Sequence, residues 1–101
     1  MVRFEWDPVK ARTNFRKHGV SFDDAILVFD DPYTQLELDG AGNRGEVRWR
    51  ALGLAGGLVV LVVVHTIRGV GQDEIIRLIS ARRATRMERN RYDETCSQDL
   101  S

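Results

Sequence analysis

The chain has 101 residues, 43% hydrophobic and 30% charged, with 15 basic residues balancing 15 acidic ones; this suits one soluble domain with a single modest core. The lone Cys96 excludes an internal disulfide and a cysteine-based metal site and fits a reducing cytosol. The longest apolar run, Leu58 to Val64, is seven residues where a membrane helix needs about 20, and no signal-peptide pattern opens the chain, so the expected location is the cytoplasm.

Arg3 to Trp6 is short and aromatic and predicts a first strand. Asp7-Pro8 then starts a helix: aspartate can accept a bond from an unpaired amide, and proline at the first helical position gives up no needed donor. Val9, Ala11 and Phe15 follow at helical spacing. Gly19 stops the helix, with Arg16, Lys17 and His18 in the last turn, where the helix dipole favours positive charge. Ser21 caps a second helix, with Asp24 three residues on. Its stripe is Phe22, Ala25, Ile26 and Phe29, and Asp31-Pro32 ends it.

Gln35 to Asp39 predicts a strand, and Gly40 to Asn43 a loose connection. Three more strands are expected: Glu46 to Leu54, the valine-rich Leu58 to Thr66, and Glu74 to Ala81. Gly56-Gly57 fits a hairpin turn between the first two. The valine run is apolar on both faces and should be central. Thr85-Arg86-Met87-Glu88 is a capping box that opens a last helix through about Asp93. The sum is an α+β fold with two N-terminal helices and a C-terminal helix packed on a mostly antiparallel sheet. Residues 1–94 form the single domain and residues 95–101 a polar tail.

Charge is unevenly placed. From Met1 to Asp39 there are five basic residues against eight acidic ones; from Arg44 to Arg91 there are ten arginines against four acids. Arginine presents a planar fork suited to phosphate, so the asymmetry points to a polyanion partner. Arg48 and Arg50 share one face of their strand. Arg77 stands between Ile76 and Leu78, Arg82 ends that strand, and His65 ends the valine strand. If these strands are neighbours, arginines and an imidazole converge on one sheet face. That set suits RNA cleavage by the 2′-hydroxyl, which needs a proton acceptor, a proton for the leaving oxygen, and cations against the charge on phosphorus. No metal or cofactor is required, and the residues lack a metal-binding cluster.

A structural reading stands beside each choice. Arg48 and Arg50 could pair with Glu46 or a neighbouring strand, Arg77 with Asp30 or Asp31. His65 could be a strand-end residue, His18 and Lys17 helix-end residues, and the cluster from Arg82 to Arg91 a solvated or partner-binding helix face.

Phe4-Glu5-Trp6-Asp7-Pro8, Asn14, Lys17-His18-Gly19-Val20-Ser21-Phe22, and Ile79-Ser80-Ala81-Arg82-Arg83-Ala84-Thr85 with Glu88 and Tyr92 occur in an order that resembles the BrnT family. These are ribonuclease toxins of bacterial type II toxin–antitoxin pairs. The resemblance runs from Phe4 to about Tyr92 and implies a RelE-like fold and a metal-independent endoribonuclease that arrests translation. It also implies a BrnA-like ribbon-helix-helix antitoxin that carries DNA binding, so that DNA is met only through the complex. A homodimer or a higher complex with the antitoxin is left open. On this reading Arg48, His65, Arg77 and Arg82 are the catalytic candidates, with His18 as the alternative proton-transfer group. Lys17, His18, Arg50 and Arg83 are RNA-binding candidates. BrnT-like chains often carry a His-Ser pair before a Glu-Arg strand; here Gly40 to Gly45 stands in that place, followed by Glu46-Val47-Arg48-Trp49. The competing reading is a non-catalytic nucleic-acid or antitoxin-binding module acting in operon control.

Overall fold

The computed structural model describes residues 2–41 and 45–99. Strand β1 (Arg3–Glu5) leads into helix α1 (Pro8–His18), then α2 (Phe22–Ala25), which tightens into a 3-10 stretch over Ile26–Asp30. Strands β2 (Gln35–Ala41), β3 (Val47–Ala55), β4 (Val59–Arg68) and β5 (Ile75–Arg83) follow, and helix α3 (Arg86–Asp99) closes the chain. They form one five-stranded sheet in the order β1-β5-β4-β3-β2. Every pairing is antiparallel except β1 with β5. The valine strand β4 is central, as its two apolar faces predict.

The local signals act as read. Asp7 accepts a bond from the Val9 N–H, and Gly19 ends α1 in the left-handed region at φ 69°. Gly56 and Gly57 both have positive φ, which with the bond from Leu58 N to Ala55 O makes a primed turn matched to the twist of the hairpin. The capping box is reciprocal: Glu88 N donates to Thr85 Oγ1 at 3.2 Å and Thr85 N to Glu88 Oε1 at 2.8 Å. Helix α3 continues to Asp99, past the expected stop near Asp93. Tyr92 and the half-buried Cys96 anchor it on the sheet, and Gln35 Nε2 donates to Thr95 Oγ1 at 2.8 Å.

The helix stripes need correction. In α1, Val9 and Phe15 are 59% and 56% exposed, and the buried residue is Asn14. Its side chain takes the place of a strand beside β5. Asn14 Oδ1 accepts from Ala81 N at 3.0 Å, while Nδ2 donates to Ala81 O at 2.9 Å and Val20 O at 3.1 Å. Those three bonds make a polar residue the right one for that face. In α2 the fully buried row is Phe22, Ala25 and Val28. The tighter 3-10 winding has three residues per turn and brings every third residue inward, leaving Ile26 and Phe29 half-buried against the core.

The sheet has two unlike faces. One packs under α1 and α2 and holds the main core, including Ala51, Leu61, Val63, Ile76 and Leu78. The other carries a smaller cluster of Leu52, Val62 and Tyr92 where α3 lies across one end. Asp31 ties that end together: its carboxylate accepts from Leu54 N at 2.8 Å, Tyr33 N at 3.0 Å and the Tyr92 hydroxyl at 2.5 Å. Burial alone would raise this carboxyl, but those bonds outweigh it and hold Asp31 below its usual range.

Candidate functional site

Strand register decides which side chains meet. Arg50 faces Val64 across β3 and β4, and Val64 faces Ser80 on β5. Leu52 faces Val62, which faces Arg82. Continuing from the Trp49–His65 pair sets Arg48 opposite Thr66, which faces Arg77, itself beside Glu5 of β1. Directly opposed residues share a face. Arg48, Arg50, Arg77 and Arg82 therefore lie on the α3 side of the sheet.

Strict alternation would have set Arg77 and Arg82 on opposite faces, since they are five residues apart. A bulge reconciles them. Leu78 pairs with His65 and Ser80 with Val64, so Ile79 has no opposite residue. The extra residue resets the pleat: Leu78 and Ala81 both point into the core, and Arg77 and Arg82 both point away from it.

The four arginines differ in freedom. Arg82 forms a two-pronged bond with Glu88, Nη1 to Oε1 at 2.8 Å and Nη2 to Oε2 at 3.1 Å. That bond, with its charge, raises the Arg82 pKa and pushes Glu88 down to about 2. Arg82 thus fastens the start of α3 to β5. Arg50 Nε is 3.4 Å from Asp39, and Arg77 Nη1 is 3.6 Å from Glu5, which also binds Arg68. Neither expected partner of Arg77, Asp30 or Asp31, holds it. Arg48 makes no ion pair among the described residues and is half-buried. Beyond the end of α3, then, Arg48, Arg50 and Arg77 surround Thr66 and Val64 with at most loose carboxylate contacts.

His65 does not join them. It lies opposite Trp49 and Leu78 on the core face and is 0% exposed. Its ring meets Phe29 edge-on at 4.9 Å, and Nδ1 lies 3.1 Å from Val63 O. Burial lowers its pKa, opposed by the Val63 bond, so the ring is neutral and sealed from the arginines by the sheet itself. Arg83 also lies off that face. It pairs with Leu61, a core-face residue, so its exposed side chain leaves toward the α1 side. The remaining histidine is better placed. His18 and Lys17 line a cleft of ≈ 240 Å³ between α1 and β5, together with Ser80, which shares the Arg50–Val64 row. The Gly40–Gly45 departure, with Gly42, Asn43 and Arg44, lies in part outside the described residues. Among the described residues no group of three or more His, Cys, Asp or Glu side chains gathers to hold a metal, and no helix is long and apolar enough to cross a membrane.

Comparison with known proteins gives this face its context. Residues 6–88 match the family described as ribonuclease toxin, BrnT, of type II toxin–antitoxin system. The chain belongs to the BrnT family. The crystal structure of the Brucella abortus ribonuclease toxin BrnT superposes with a TM-score of 0.60 at 28% identity, covering 85% of this chain and 100% of that one. No curated protein matches the chain. This BrnT chain is accordingly a member of a ribonuclease toxin family of type II toxin–antitoxin systems, a class defined by an antitoxin partner.

Proposed function

We propose that this BrnT chain is an active endoribonuclease that needs no metal, and that the arginine face beyond α3 is where RNA lies. One observation carries the reading: Arg48, Arg50 and Arg77 from two strands share a sheet face that α3 leaves uncovered. Guanidinium groups at cross-strand spacing can grip neighbouring phosphate oxygens and offset charge growing on phosphorus in the transition state. The 2′-oxygen bonds to phosphorus as the bond from phosphorus to the 5′-oxygen breaks. The 2′-hydroxyl proton goes to His18, which lines the cleft at the β5 edge with Ser80, and the imidazolium returns it to the departing 5′-oxygen. Arg77 and Arg48 are the transition-state contacts and Arg50 and Lys17 hold the strand. Arg82 serves by setting α3, and is a direct contact only if RNA displaces Glu88.

In the cell this activity would arrest translation in the cytoplasm, with neutralisation by a BrnA-like ribbon-helix-helix antitoxin that alone contacts DNA. Cleavage of single-stranded RNA in excess chelator is the test. Arg77→Ala should fold normally, cut about 10²-fold more slowly, as for loss of one transition-state donor, and relieve growth arrest. A folded Arg77→Ala variant with undiminished cleavage removes Arg77 from the site. The engaged fork of Arg82 favours the second reading, a binding module; salt-dependent RNA binding with no product would establish it.

A further inference from the structure

Strand β1 pairs with β5 only over Ile75 to Arg77. Past that point no strand among the described residues lies beside the outer edge of β5, and α1 lies along it, fastened at Ala81 by Asn14. Between the end of β1 and that fastening lies the cleft of ≈ 240 Å³, lined by Lys10, Thr13, Lys17 and His18 of α1 and by Ile79 and Ser80 of β5. Lys10 and Lys17 are two helical turns apart and so stand on one side of α1. Both are exposed. Among the described residues neither lysine, nor His18, has an ion pair or side-chain hydrogen bond.

Ser80 belongs to both regions: it lines the cleft, and its row runs across Val64 to Arg50 on the arginine face. The cations thus form one path: the guanidinium groups over the sheet, a serine hydroxyl at its edge, then two ammonium groups on the helix. A polyanion with evenly spaced charges fits such a path, because each cation meets a separate phosphate.

We propose that the α1–β5 cleft is a subsite for the RNA backbone, in which Lys10 and Lys17 contact the phosphates flanking the bond to be cut and the Ser80 hydroxyl bridges the two regions. The inference rests on the ribonuclease reading and extends it to residues that the arginine face does not include. Lysines suit this role: as mobile point charges they hold a flexible strand without fixing its geometry, whereas the arginine fork orients the reacting group.

The test is binding of a fluorescently labelled single-stranded RNA, methylated at every 2′-oxygen to prevent cleavage, followed by anisotropy from low to moderate salt. Each phosphate contact on a single strand contributes about 0.7 to the slope of log affinity against log salt. The Lys10→Gln/Lys17→Gln double variant should therefore lose about 1.4 from that slope. Arg48→Gln/Arg77→Gln serves as the parallel arm. A lower slope in both variants supports the cleft. An unchanged slope in the lysine variant with a lower one in the arginine variant overturns the cleft and leaves the arginine face standing. If neither variant changes the slope, the ribonuclease interface falls too. If polyglutamate binds with the same lysine dependence and RNA does not, the cleft serves an acidic protein, and the inference is overturned.

Discussion

Replacing Asn14 tests how the edge of β5, and with it the site, is held. The residue is 6% exposed and supplies three hydrogen bonds, two to Ala81 and one to Val20. Asn14→Ala strands the buried Ala81 N–H, at about 1–3 kcal/mol, and removes a bond from each of two carbonyls at about 0.5–1.5 kcal/mol apiece. Central values give a loss of roughly 3–4 kcal/mol, against a total stability of about 5–15 kcal/mol for a domain. At roughly 4–8 °C per kcal/mol for a domain near this size, 3 kcal/mol lowers the melting temperature by about 12–24 °C. Urea unfolding followed by the fluorescence of Trp6 and Trp49, with thermal melting by circular dichroism, measures both. Asn14→Asp is the sharper variant: it keeps the acceptor for Ala81 N–H but sets carboxylate oxygens against the Val20 and Ala81 carbonyls. It should be at least as destabilising as alanine. An alanine variant within about 0.5 kcal/mol of the native protein, the range of an ordinary surface change, would refute the claim that this amide replaces a strand.

Glu88 makes stability depend on acid. Its folded pKa is depressed from 4.5 to about 2, chiefly by Arg82, so its contribution is complete above pH 4.5 and disappears as the pH falls toward 2. Because Arg82 is 37% exposed, we expect about 1–2 kcal/mol after solvent screening. The difference in urea midpoint between native protein and Glu88→Gln should shrink across that window; a constant difference would contradict it. The two histidines should separate cleanly. His18→Gln should slow RNA cleavage by about 10²-fold, as for loss of a general base. His65→Leu should leave the cleavage rate unchanged and remove the loss of stability that the native protein shows below pH 6.5, where the unfolded imidazole takes up a proton that the buried one resists. Cleavage slowed by His65→Leu and not by His18→Gln would reverse the assignment.

Much of the architecture is written in local chemistry. Asp7-Pro8, Gly19, Gly56-Gly57 and the Thr85–Glu88 box each satisfy or redirect a few backbone groups nearby, and such signals need no tertiary knowledge. The shared face of Arg48 and Arg50 was legible for the same reason, since pleating alone sets it. The failures are non-local. His65 and Arg83 stand near strand ends in the sequence, but which face each takes follows from register with Trp49 and Leu61 on other strands. The bulge at Ile79, which unites Arg77 with Arg82, leaves no mark in the alternation of β5 itself. Asn14 was visible as a specific residue but not as a buried one. A helical stripe read by hydrophobicity selects Phe15 and Val9, whereas the contact that matters is hydrogen bonding to a bare strand edge. Only a polar side chain at the position facing Ala81 could have hinted at it. Likewise, the short apolar content of α3 concealed its length, because Gln35 and Thr95 hold its last turns by polar contacts.

The most direct measurement is to map RNA onto the native protein by backbone amide chemical shifts, using the 2′-methylated strand. The account predicts perturbations at Arg48, Arg50, Val64, Thr66, Arg77 and Ser80, with Trp49 and Ala51 little affected. Perturbations confined to Leu36, Leu38, Trp49 and Val47, with the arginine rows silent, would contradict it.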